Sequence, residues 1–236
     1  MRWPARLPPK QERGFATAGF LACAGFVGWA LLVAPAEKAG TGFTAVGSAF
    51  SNGQPVTVEA RASALAAFAE GRPALACRSD LLNAGGALLL SDTDEAGVVK
   101  PGAVKAAGQV LLQSVACSPW QANTWLTLAF IRVQDLGFDA LSEQLIDMSY
   151  ALAPREAWIA LRRVRLEIQR EKPREPAAEA RLDAAILDLA EGALWRDLVE
   201  IFHDSRPPAR QRLMRALETA SKETLGRFMF HVLWRK

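Results

Sequence analysis

The chain is poor in the residues from which most catalytic sites are built. Of 236 residues, two are histidine and one is tyrosine. Neither His203 nor His231 stands in an H-E-x-x-H pair or beside cysteines at ligand spacing, which removes the common zinc signatures. No G-x-S-x-G elbow, Walker loop or dinucleotide-binding fingerprint is present. Carboxylates such as Glu143, Asp147 and Glu191 recur along helical patterns, as they do in any helical protein. The expectation is a non-enzyme with no cofactor and no metal. Cysteine is scarce too: three residues exclude a disulfide-rich scaffold and leave room for one bridge. Strand-length runs of β-branched residues are nearly missing, so a sheet protein is excluded in favour of an all-α chain rich in alanine.

Charge of one sign is also lacking. The net charge is +3, and its distribution is uneven. Residues 1–36 carry four cations and one anion, residues 37–154 seven and eleven, and residues 155–236 seventeen and thirteen. An acidic middle between basic ends is not the footprint of a nucleic-acid binder.

What is present first is an uncharged run. Residues 1–13 hold Arg2, Arg6, Lys10 and Arg13 and read as a basic cytoplasmic tail; residues 14–35 carry no charge. As a helix, residues 14–34 would be roughly 31 Å long at about 1.5 Å per residue, enough for a hydrocarbon core of about 30 Å. The basic flank keeps the N-terminus cytoplasmic by the positive-inside rule, so the remainder is expected on the periplasmic side of a bacterial inner membrane. A signal cleaved at Ala34-Pro35-Ala36 is the competing reading, although the apolar run exceeds the usual signal core. A lipoprotein site at Cys23 is disfavoured because the apolar sequence continues beyond it.

Residues 36–56, rich in Gly, Ser and Thr, read as a flexible spacer. Helical patterns follow from Val58 with Thr57 as N-cap, from Pro73, and over Pro101–Cys117. Gly85-Gly86 inside the second marks close packing or a kink. Asp92, Asp94 and Glu95 miss calcium-loop spacing and read as a solvated loop. Cys77 early in one helix and Cys117 at the end of the next would meet if the helices are antiparallel. In an oxidising compartment they would form a disulfide; two separate buried thiols are the alternative. After a break at Lys172–Pro176, amphipathic helices are expected near 177–191, 193–203, 208–220 and 222–234, with Asp204 or Ser205 as a cap.

Between these parts, Pro119 and Trp125 recur as Pro154 and Trp158 at a spacing of about 34 residues, a helix-hairpin period. Trp125, Leu128, Ala129, Ala140, Leu145 and Pro154 resemble the pattern of a tetratricopeptide repeat, with small Ala129 and Ala140 allowing close helix approach. Ile131, Arg132 and Arg162 depart from it. The Trp158 helix carries two apolar stripes, Ala157–Leu161–Val164–Ile168 and Ile159–Leu166, as a helix buried on both sides would. Trp125 and Trp158 are expected in the core.

The expected organisation is therefore the N-terminal anchor over residues 14–35, a tetratricopeptide-like domain over residues 57–172 and, because no third clean repeat follows, an irregular helical cap over residues 173–236. The tetratricopeptide resemblance implies a concave groove lined by Asn123, Phe130, Gln134, Glu156, Arg163 and Glu167, unless the helices after Pro176 fold back and fill it. The longer pattern from Cys77 through SPWQANTWLTLA and ALAPREAWIALRRVRLEI is similar to membrane-anchored alphaproteobacterial proteins that accompany genes for exopolysaccharide assembly and export. These resemblances imply an envelope scaffold that binds a protein partner of such machinery. A glycan-binding accessory protein, using Trp120 and Trp195 on one concave surface, is the second class; an enzyme with a scattered site is the third.

Overall fold

The computed structural model describes residues 9–51, 54–72, 75, 77–94 and 98–234. Residues 1–8 of the expected basic tail, and Glu95, lie outside them. The described residues form helices, with one isolated bridge, Thr93 to Val99, and no strand. The chain divides into two units, Met1–Cys117 and Ser118–Lys236.

The first unit holds α1 (Pro9–Gly40), α2 (Thr44–Ser51), α3 (Val58–Gly71), α4 (Ser79–Leu90) and α5 (Pro101–Cys117). Among the described residues no helix is long and apolar enough to cross a membrane. The uncharged run 14–34 includes residues 14–17, 19 and 32, whose side chains lie outside the description. The expected spacer is corrected. Residues 36–40 prolong α1, and 44–51 form α2, because Phe43 and Val46 enter the core of this unit. Phe43 is fully buried and meets Phe68 edge-on at 5.1 Å.

The glycines read as spacer or kink are contact points. A Cβ on Gly47 would stand 2.5 Å from the carbonyl oxygen of Ala84, so α2 lies backbone-close on α4. One on Gly85 would stand 2.0 Å from the Phe68 ring. Gly85→Ala should therefore cost about 2–3 kcal/mol through overpacking, read as a fall in the urea midpoint. Combined with Phe68→Leu the loss should be less than additive; strict additivity would mean the contact is not the cause.

Thr57 caps α3 as expected, its hydroxyl accepting from the Ala60 amide at 3.2 Å. After α4, Lys100 pairs with Asp92 at 2.8 Å and the Val98 amide donates to Asp94 at 2.9 Å. Cys77 and Cys117 form a disulfide with Cα atoms 5.2 Å apart. Cys77 precedes α4 rather than lying inside it. Beside the bridge, Arg78 pairs with Glu37 of α1 at 2.6 Å and Asp80 at 2.8 Å.

The second unit comprises α6 (Ala122–Leu136), α7 (Ala140–Leu152), α8 (Ala157–Glu167), α9 (Pro176–Glu191), α10 (Trp195–Asp204), α11 (Pro207–Leu217) and α12 (Lys222–Trp234). Gly137, at φ 76°, ends α6 with a left-handed backbone that a side chain would strain. Asp139 then caps α7 in a reciprocal box with Ser142. Arg132 grips the same carboxylate, its Nε lying 2.9 Å from both oxygens.

The two stripes of α8 enter two cores: Ile159 and Leu166 pack with Leu126, Ala129 and Ile146, whereas Val164 and Ile168 pack with Leu182, Ile186 and Leu213. Because α8 and α9–α12 share that second core, the expected boundary at residue 173 does not separate a cap from a repeat. Ala140 is exposed, so close approach in the α6–α7 hairpin rests on Ala129. Ser205 does not cap α11; its hydroxyl donates back to the Ile201 carbonyl at 2.6 Å.

Candidate functional site

The expected groove positions fall into two environments. Asn123, Phe130 and Gln134, spaced by seven and four residues, share one face of α6. Phe130 is 43% exposed and Gln134 is exposed. Asn123 is half-buried because its side-chain oxygen accepts from Arg162 Nη1. Arg162 also reaches Thr127 Oγ1 at 3.3 Å, tying α8 to α6, and burial pushes its pKa below the usual guanidinium value. Glu156 is exposed at the start of α8.

Arg163 and Glu167 line no open groove. Both are fully buried, which corrects the expectation for these two. The Arg163 guanidinium lies 4.2 Å from the centre of the Tyr150 ring and donates to the Ala153 carbonyl at 2.6 Å. Its Nε and Nη1 find no hydrogen-bond partner among the described residues. The Tyr150 hydroxyl donates to Glu167 at 2.9 Å.

The chain after α8 supplies the cover. The Arg174 side chain is 7% exposed and stands 3.3 Å from Glu167, 3.0 Å from Asp147 and 2.6 Å from Glu143. Arg170 pairs with Glu143 while its guanidinium lies 3.9 Å from the Phe138 ring centre. Arg181 of α9 reaches Asp147 at 2.7 Å, and Arg212 of α11 pairs with Glu179.

Burial raises the Glu167 pKa above the ordinary carboxylate value, against the downward pull of the Tyr150 hydroxyl and Arg174. The same burial, helped by the Glu167 charge, pushes the Tyr150 phenol up and keeps it a donor. Burial lowers the Arg163 pKa. These groups clamp α7, α8 and α9 together through ion pairs and ring contacts. Sequence reasoning singled out neither Tyr150 nor Arg174. The available signals were that Tyr150 is the single tyrosine and that arginines recur at Arg163 and Arg170 before the break and at Arg174 within it.

The tryptophans are corrected in part. Trp158 is 50% exposed. Trp125 is half-buried and spends its indole N–H on the Pro119 carbonyl at 2.8 Å. Smaller side chains fill the hairpin core instead. Trp120 is exposed.

Trp195 lines a recess of about 180 Å³ together with Arg196, Val199, Glu200 and His231. Its ring centre lies 4.6 Å from that of His231, and Arg196 and Arg227 approach it at 5.2 and 5.4 Å. Nothing in the structure joins Trp120 to this recess. Among the described residues no group of three His, Cys, Asp or Glu side chains could hold a metal ion. No family model, no curated protein and no solved structure matches the chain.

Proposed function

We propose that this chain is a non-catalytic scaffold or assembly factor, anchored in a bacterial inner membrane through residues 14–35. Its helical domain lies on the periplasmic face and binds a protein partner, for which polysaccharide synthesis or export machinery is the favoured setting. The observation that carries this reading is the surface of α1. Phe20, Leu21, Phe26, Val27, Trp29 and Leu31 are all exposed, an apolar helix that neighbouring elements leave uncovered and that a bilayer would cover. The uncharged run and its Arg2–Arg13 flank support the same address.

The tetratricopeptide-like reading draws support from the α6–α7 hairpin and from the starts of α6 and α8, 35 residues apart. The docking face is then that of α6, with Phe130 and Gln134 exposed and Asn123 behind them, and Glu156 beside the start of α8. The buried pair Arg163 and Glu167 drops out of it.

Topology is tested by fusions after Lys236. Alkaline phosphatase there should be active, and a fluorophore that matures only in the cytoplasm should stay dark; the reverse pair of signals defeats the anchor and the address together. For the docking face, Phe130→Ala combined with Gln134→Ala should abolish co-purification of the envelope partner while changing stability by less than about 1 kcal/mol, as surface substitutions do. Undiminished capture would place the docking surface elsewhere.

A further inference from the structure

We infer that the recess between α10 and α12 is a subsite for an acidic oligosaccharide, a ligand built from carboxylate-bearing sugar rings. This inference is independent of the anchor and of the α6 docking face.

Size is the first argument. At about 180 Å³ the recess falls below the roughly 300 Å³ at which drug-sized or cofactor pockets begin, so it admits one ring-sized unit. The second is wall chemistry. Trp195 and His231 supply flat aromatic surface, Val199 is apolar, and Arg196 and Glu200 add a guanidinium and a carboxylate. A sugar ring carries the matching pair of features: C–H bonds for the aromatic surfaces, and hydroxyls that donate to a carboxylate or accept from a guanidinium.

Charge decides the subclass. Arg196 and Arg227 both flank Trp195. Arg227 is held there by donating to the Ala190 carbonyl at 2.7 Å. Arg196 lines the recess with Glu200, and Arg227 stands outside that lining beside the same ring; two guanidinium groups around one tryptophan favour an anionic sugar, whose carboxylate takes the fork geometry of arginine.

The third argument is continuity. From His231 the aromatic contacts run on to Phe230 at 5.3 Å and from Phe230 to Trp234 at 6.1 Å. Phe230 and Trp234 are exposed and stacked on each other, with the Phe230 ring nearly perpendicular to that of His231, so aromatic side chains continue along α12 past the recess and suit a chain of rings better than a single one.

The test titrates the full chain, held in detergent micelles, with tetragalacturonate and tetramannuronate, using calorimetry and tryptophan fluorescence. Cellotetraose supplies rings without charge, and tetraglutamate supplies charge without rings. At least one uronate should bind at least tenfold more tightly than either control. Trp195→Ala should weaken that binding about tenfold and Trp120→Ala should leave it unchanged. Trp195 also packs against the second unit's core, so Arg196→Ala, an exposed position, is the variant that spares the fold; it should weaken binding about fivefold. The proposal is overturned if neither uronate binds at millimolar concentration, if tetraglutamate binds as well as the uronates, if cellotetraose binds as well, or if Arg196→Ala leaves uronate binding intact.

Discussion

Arg174→Ala should be the most damaging single substitution in the second unit, costing about 3–5 kcal/mol, the range for stripping one partner from a buried ion pair. The side chain faces three carboxylates, Glu143, Asp147 and Glu167, and is almost fully buried itself. Its removal leaves Glu167, fully buried, with the Tyr150 hydroxyl as its remaining side-chain hydrogen bond.

The sign of the pH dependence follows from the raised Glu167 pKa. The folded state holds that proton more tightly than the unfolded chain does. The group's stabilising contribution is therefore fully present below the unfolded carboxylate pKa, about 4.3, and is lost as pH rises through the folded value. Arg174 opposes the rise, so deleting it moves the folded value further up. Urea unfolding of the variant and the wild type at pH 5 and pH 8 should show a deficit that widens at pH 8. A deficit equal at both, or smaller at pH 8, would show that Arg174 does not act through the Glu167 charge.

Breaking the Cys77–Cys117 bridge should have the largest effect on the first unit. The bond closes a loop of 40 residues, for which the chain-entropy relation gives about 4 kcal/mol. Cys77→Ser with Cys117→Ser should lower the thermal midpoint accordingly. Thiol labelling of the denatured, unreduced wild type should modify Cys23 alone. Three reactive thiols in protein recovered from the periplasmic side would remove the bridge.

Legibility in the sequence followed how local each determinant is. Pro101–Cys117 could be read to the residue because proline opens that helix and no breaker interrupts it. The helices after Pro176 were legible for a similar reason, with prolines at the starts of α9 and α11. The two stripes of α8 announced two cores, which they enter except at Ala157, exposed at the first turn of the helix.

Residues 36–56 misled because glycine has two uses. The sequence presents flexibility, whereas Gly47 supplies the missing Cβ that lets α2 touch the backbone of α4. That partner lies far along the chain and leaves no local trace. Arg163 and Glu167 misled for a related reason. Charged side chains on a repeat helix ordinarily point outward, and only Tyr150 and Arg174, on either side in sequence, reveal that these two are enclosed. Trp158, expected in the core, is half exposed, since Ile159 and Leu166 fill the hairpin core instead.

The junction at the end of α1 has a mechanical consequence. The helix runs without interruption to Gly40, which nestles against Leu81. Glu37, one turn back, is bolted to Arg78 beside the disulfide. Such a joint couples the last turn of α1 to the first unit, whereas Pro35, inside the helix just before Glu37, removes a backbone hydrogen bond and sets the point at which the rest of α1 can bend away.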